Sequence, residues 1–233
     1  MRKVLMLSMA VLLVLVVLVC SVFATFSPYY WYAYDLDENP VVYMKQIAYW
    51  SGSPTIKYDK MISNADFPFL TGLNNGVTQW NSALSRNMSV SAIYTSPDII
   101  YFGGTAADID SLGLFASVPS AATGRTLYEG LDLDSNPRQS LKFTFSYGGE
   151  NDFICYEQLS AIGYVVYNGT STYYNYIKTC THELGHAVGW RGHSLSDSNV
   201  MWQGKSAVTS LQSVDINHLK QLYDTIPTPS SSP

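Results

Sequence analysis

The sequence predicts one mixed α/β (α+β) domain, a twisted mixed β-sheet with helices packed against it, among them the one that carries the chemistry and a C-terminal one, and three observations lead there. Apolar residues recur at intervals of three and four at Leu70, Leu73, Val77, Trp80 and Leu84, the buried stripe of an amphipathic helix. A second stripe, Ile177, Thr181, Leu184 and Val188, marks another helix near the C-terminus. Between them lie short segments, SVSAIYT, DIIYFGG, GLFASV, RTLYEGLDLD and LKFTFSY, each bounded by Gly, Pro, Asn or Ser and each reading as a strand. With 47% apolar and 13% charged residues in 233 positions, the chain can build one sizeable core and is not a disordered chain.

The elements follow in order. Residues 1–24 begin with Arg2 and Lys3, continue as an uncharged apolar run and end in small residues at Ser21 and Ala24, the pattern of an export signal cut after Ala24. The run from Val4 to Phe23 is 20 residues long, so an uncleaved anchor with its cations inside is the alternative. Either way the remainder faces outward, secreted or held at the cell surface, and the membrane is a partner only if the segment stays. Residues 25–44, aromatic and bounded by Pro40, read as an irregular lead-in. KQIAYWSGSPTIKYD reads as a first strand with a kink at Ser-Gly-Ser-Pro. Residues 45–226 then form the folded domain, and 227–233, PTPSSSP, a disordered tail.

Charge narrows the partners. The chain holds 13 basic residues against 18 acidic ones, and two of the basic residues are Arg2 and Lys3, so the exported part is more acidic than the net −5 suggests. Nucleic acid is not expected as a partner. Three cysteines, Cys20, Cys155 and Cys180, are too few for a disulfide-built scaffold. Once the signal is removed, Cys155 and Cys180 form an even pair in an oxidising compartment. A disulfide between them and two separate buried thiols both remain open, and the bonded pair is the expectation carried forward.

The chemistry is concentrated in THELGHAVGWRGHSLSDSNVMW, residues 181–202, which holds three of the four histidines. On a helix capped by Ser171 or Thr172, His182 and His186 project from one face a turn apart, where both imidazoles reach one metal ion. Glu183 stands beside them, placed to take a proton from water activated there. Gly189 follows the apolar stripe directly and suits a helix end turning through positive φ. Most histidine pairs on helices are surface or satisfied core residues; the glutamate, Gly189, His193, a following methionine and an export signal set this pair apart.

These residues resemble the metzincin zinc endopeptidases, matrixin-like branch, whose motif is H-E-x-x-H-x-x-G-x-x-H followed by a methionine-containing turn. His182, Glu183, His186 and Gly189 match in place, and SNVMW with Met201 is similar to the Met-turn. GVTQWNSAL and SLQSVDINHLKQLY resemble the family's first and C-terminal helices. The resemblance implies a zincin-like fold, zinc held by three histidines, Glu183 as general base, Met201 as a hydrophobic floor, and hydrolysis of peptide bonds in extracellular proteins; a monomer is expected. It also places an extended protein or peptide substrate along an edge strand, expected near GLFASV. A structural calcium is left open: Asp132, Asp134 and Asn136 alternate near a turn but lack the glycine and final glutamate of a helix-loop-helix site.

Two departures bear on the site. The family's third ligand falls ten residues after the first histidine, where this chain has Gly192; His193 comes one residue later. Met201 follows His193 by eight residues, a gap similar to that of matrixins, which puts the extra residue in Trp190-Arg191-Gly192 and leaves His193 as third ligand. Asp197, Asp215 and Asp224 are the acidic competitors, and no glutamate follows Glu183, which excludes a thermolysin-like ligand set. Trp202 stands where some metzincins have a ligating tyrosine, and an indole cannot replace it. His218, on the last helix, is expected to be structural or exposed. A zincin-fold binding protein without hydrolysis, its third ligand misplaced, is the other reading.

Overall fold

The computed structural model describes residues 32–35, 38–43, 46–127, 140–147, 150–157, 160–190 and 192–225. The export signal, the calcium-like Asp132, Asp134 and Asn136, and the tail at 227–233 lie outside them. The described residues form ten strands: β1 (Tyr32–Asp35), β2 (Glu38–Tyr43), β3 (Gln46–Tyr49), β4 (Thr55–Lys60), β5 (Ser89–Ser91), β6 (Ile99–Gly104), β7 (Gly124–Leu127), β8 (Ser140–Tyr147), β9 (Glu150–Glu157) and β10 (Ala161–Val166). Four helices accompany them: α1 (Phe69–Leu84), α2 (Ala106–Ser111), α3 (Tyr173–Ala187) and α4 (Ser213–Thr225). None of these helices is long and apolar enough to cross a membrane.

The central sheet has the order β5-β4-β6-β10-β7. Its first four strands run parallel, and β7 joins β10 antiparallel at the edge. A parallel sheet is covered on both faces, and the side chains divide accordingly. Ile56, Ile99, Tyr101 and Val165 enter a core shared with α1, α3 and α4, whereas Tyr164 and Val166 pack with Ile109 of α2 and Val118 on the opposite face. A second sheet has the order β3-β9-β8, and β1 pairs with β2.

Several expectations change here. The segment expected to be an irregular lead-in contains the β1–β2 pair. The kinked first strand is two strands in two sheets, β3 and β4, because Ser51 to Pro54 redirects the chain instead of merely bending it. GLFASV is not a strand: Gly113 takes φ +64°, and Phe115 and Val118 serve as apolar plugs against Tyr164. β10 went unrecognised because AIGYVV is an uninterrupted apolar run, as a strand buried on both faces must be.

Helix α1 buries Phe69, Leu73, Val77, Trp80 and Leu84, with Leu70 only half-buried. Gly72 and Gly76, which lower helix propensity, lie where α1 crosses α3. A Cβ at Gly72 would sit 2.6 Å from Cys180 Sγ, and one at Gly76 2.6 Å from Leu184 Cδ1. The two backbones approach closely because neither position carries a side chain. Cys180 is therefore a free thiol, sealed in this contact with its Sγ 3.6 Å from Phe69 O, and not half of the expected disulfide. Burial and the nearby Glu183 push its pKa up, which keeps it protonated and inert.

Gly72→Ala should therefore lower stability by about 1–2 kcal/mol, since overpacking of about 1–3 kcal/mol outweighs the gain of about 0.5–1 kcal/mol in helix propensity. Urea unfolding would read this, with Gly52→Ala, whose Cβ meets nothing within 4 Å, as the neutral reference. A Gly72→Ala protein as stable as the parent contradicts the packing argument.

Candidate metal centre

Helix α3 starts with a capping box: Thr172 accepts from Asn175 N, and the Asn175 side chain accepts from Thr172 N. Its core stripe, Ile177, Thr181, Leu184 and Val188, is buried throughout. At the other end its carbonyls are taken by groups from distant segments. Trp50 Nε1 donates to Ala187 O at 2.8 Å, and Tyr223 Oη donates to Val188 O at 2.8 Å. Trp80 Nε1 holds the middle, donating to Thr181 O at 2.9 Å. The helix that carries the chemistry is thus pinned along its length.

His182, His186 and His193 come together, with ligand-capable ring atoms all within 4.8 Å of one another, so the cluster can hold a metal ion. His182 Nδ1 donates to Val200 O at 2.8 Å and His186 Nδ1 donates to Trp190 O at 2.9 Å. A carbonyl only accepts, so both Nδ1 atoms carry the proton and both Nε2 atoms present lone pairs. Those Nε2 atoms face each other at 3.0 Å. Two lone pairs at that distance repel unless a cation lies against both. A proton on His182 is disfavoured, because burial together with His186, Lys178 and His193 pushes its pKa well below the usual histidine value. The donor set therefore fits a metal ion. The His193 ring stacks on His182 with centroids 5.2 Å apart and meets His186 edge-on at 5.1 Å.

His193 arrives through the turn that follows α3. Gly189 adopts φ +118° and Gly192 φ +64°, both closed to ordinary side chains, and Trp190 between them is buried against His218 with ring centroids 3.6 Å apart. His218 is thus a structural neighbour of the site and not part of the cluster. The residue after His193 is tied to the methionine turn: Ser194 N donates to Met201 O at 2.8 Å, and Asn199 Nδ2 donates to Ser194 Oγ at 2.6 Å. The distance that matters is therefore the one back from Met201. Met201 itself is fully buried, and its sulfur occupies the space that a Cβ on Gly185 of α3 would need.

Asp215 is not a ligand. Its carboxylate is buried and accepts from Val200 N at 3.0 Å, Met201 N at 3.1 Å and Gln212 N at 2.9 Å. Since Val200 O in turn accepts from His182, Asp215 positions the first histidine through one peptide unit. Sequence reading named Asp215 only as a competing ligand; its place in the first turn of α4 was the available signal. Asp197 is exposed outside the cluster, and exposed Asp224 pairs with Lys220 at 3.1 Å.

Glu183 is buried beside the histidines. Its Oε2 accepts from Thr126 Oγ1 at 2.8 Å, and its carbonyl accepts from Tyr101 Oη at 2.6 Å. Thr126 and Tyr101 belong to strands that the histidine motif does not mention, and nothing in their own sequence marked them. Gly124 lies over the carboxylate, where a Cβ would come within 2.8 Å of Oε1. Burial pushes the pKa of Glu183 up to about 7, against the lowering influence of Thr126, Lys178 and Arg125. The three histidines and Glu183 line a cleft of about 680 Å³, bordered by β7 on one side and by Pro119, Ala121 and Ala122 at its rim.

No protein-family model and no curated protein matches this chain. The assignment of ligands accordingly rests on these residues, and His193 and Asp197 separate its alternatives. His193→Ala should lose tight metal binding while Asp197→Ala keeps it, as read by metal content after dialysis. Retention in the first and loss in the second would reverse the assignment.

Proposed function

We propose that this chain is a zinc-dependent endopeptidase of the metzincin kind, with a zincin-like domain acting on extended protein or peptide substrates outside the cell. The observation that carries the reading is the convergence of three imidazoles on one point with a buried carboxylate beside them, all opening on one cleft. Three histidines with no cysteine in the cluster suit zinc in a catalytic site, which keeps one position for water or substrate. When bound, zinc supplies Lewis acidity that polarises a carbonyl and brings the pKa of a water molecule down toward about 7.

The chain's own residues do the rest. His182 and His186 are fixed in tautomer and rotation by Val200 O and Trp190 O. Glu183 Oε2 is committed to Thr126, which leaves Oε1 to accept a proton from the attacking water and return it to the departing amine. A pKa near 7 suits that exchange at neutral pH, because the carboxylate must both take and release the proton within one turnover. The substrate is expected to lie along β7, an antiparallel edge strand bordering the cleft, where main-chain groups add an extended peptide. This replaces GLFASV as the expected edge. The reading of a non-hydrolytic binding protein drew on a misplaced third histidine, and the grouping of His193 with the other two favours the hydrolytic reading over it.

Cleavage of casein or gelatin by residues 25–233 should be abolished by a zinc chelator and restored by added zinc. Glu183→Gln should keep zinc and fold but lower turnover at least about a hundredfold. Parent protein that cleaves nothing, or a variant as active as the parent, would return the binding-protein reading to the front.

A further inference from the structure

The cleft contains a charge that the hydrolytic reading does not use. Lys178 lies one turn before His182 on the ligand-bearing face of α3, and it lines the same cleft as His182, Glu183 and Gln203. The residue is only 5% exposed. Its ammonium donates to Trp202 O and, at 2.8 Å, to Gly204 O. An ammonium has three N–H donors, and among the described residues no carboxylate contacts this one. The acids nearest in electrostatic terms, Glu183 and Asp215, are engaged elsewhere, Glu183 Oε2 by Thr126 and Asp215 by three backbone amides.

Tying the segment after Met201 to α3 needs two donors but no charge, and a neutral side chain would do it without the cost of a buried cation. Burial lowers the Lys178 pKa only to about 8, so the group remains mostly protonated at neutral pH. Arg125 on β7 brings a second cation to the cleft. The cleft thus offers positive charge beside the reacting groups, with one ammonium donor left for an incoming acceptor.

We propose that Lys178 is a specificity-determining residue that receives a carboxylate of the bound peptide, an acidic side chain or a free chain end, next to the metal centre. The proposal rests on the reading of the cleft as a peptide site.

Binding, not turnover, tests it. Acetylated and amidated alanine hexapeptides carrying one Glu or one Gln at each successive position are titrated into the Glu183→Gln protein, zinc-loaded and metal-free, by calorimetry; a Gln peptide with a free C-terminus distinguishes a chain end from a side chain. At one position or at the free end, the carboxylate should bind at least about tenfold more tightly than its neutral twin. That preference should persist without zinc, disappear in Lys178→Gln, which keeps two donors for the Trp202 and Gly204 carbonyls, and survive in Lys178→Arg. Peptides that bind without a carboxylate preference in the protein that keeps Lys178 overturn the proposal alone, a comparison that needs no Lys178 variant to fold. A preference unchanged in Lys178→Gln, or present only with zinc, places the carboxylate elsewhere and also overturns it. Absence of any peptide binding overturns it together with the peptide reading of the cleft, whereas the chelator assay tests hydrolysis separately.

Discussion

Two hydrogen bonds from ring nitrogens to backbone carbonyls, His182 to Val200 and His186 to Trp190, fix the tautomer and the rotation of both helical histidines. Helix spacing alone brings the side chains to one face, but it leaves each imidazole free to turn. Much of the surrounding structure can be read as support for those two carbonyls. Asp215 grips the amide of Val200 and ties it to α4. Trp190 is buried, stacked on His218, and its amide donates to Gly185 O at 2.9 Å. Trp50 and Tyr223 meanwhile hold the last carbonyls of α3, so the helix end from which the chain departs is fixed. Outer contacts of this kind are commonly worth about ten- to a hundredfold in metal affinity.

The electrostatics follow from the same burial. Removing the His182 imidazole from water disfavours its protonation, and its Nε2 faces that of His186, an arrangement that suits a metal ion. The same environment pushes Glu183 upward toward neutrality, with Thr126 limiting the shift through one carboxylate oxygen. Burial lowers the pKa of Lys178 while Glu183 and Asp215 raise it, and its ammonium donates to the carbonyls of residues 202 and 204. One buried helix face therefore carries a base, a cation and two ligands within two turns, each with a different balance of desolvation and partners.

The motif was legible because its chemistry is local. His182, Glu183 and His186 need only helix geometry to meet, and Gly189 needs only a turn. His193 was harder, since Gly192 occupies the expected ligand position; counting back from Met201 leads to the histidine that joins the cluster, because Ser194 N donates to Met201 O and ties this part of the loop to the methionine turn. Thr126, Tyr101 and Lys178 were not legible, because their roles depend on the order of strands in the sheet and on a loop folding back over α3. The same limit applies to the fold. The stripes of α1 and α3 stood out, whereas β10, apolar on both faces, carries no alternation, and GLFASV has strand composition but spends it plugging the second core. Cys180 was misjudged for a similar reason: Gly72 makes a socket for its thiol that only the helix crossing reveals.

The proposed function requires that three imidazoles of this chain hold one zinc ion and leave a position open. X-ray absorption at the zinc edge of the loaded, full-length protein tests it directly. The account predicts one zinc per chain with three imidazole nitrogens at about 2.0–2.1 Å, one further oxygen and no sulfur. Two imidazoles with additional carboxylate oxygens, or a sulfur at about 2.3 Å, would contradict it.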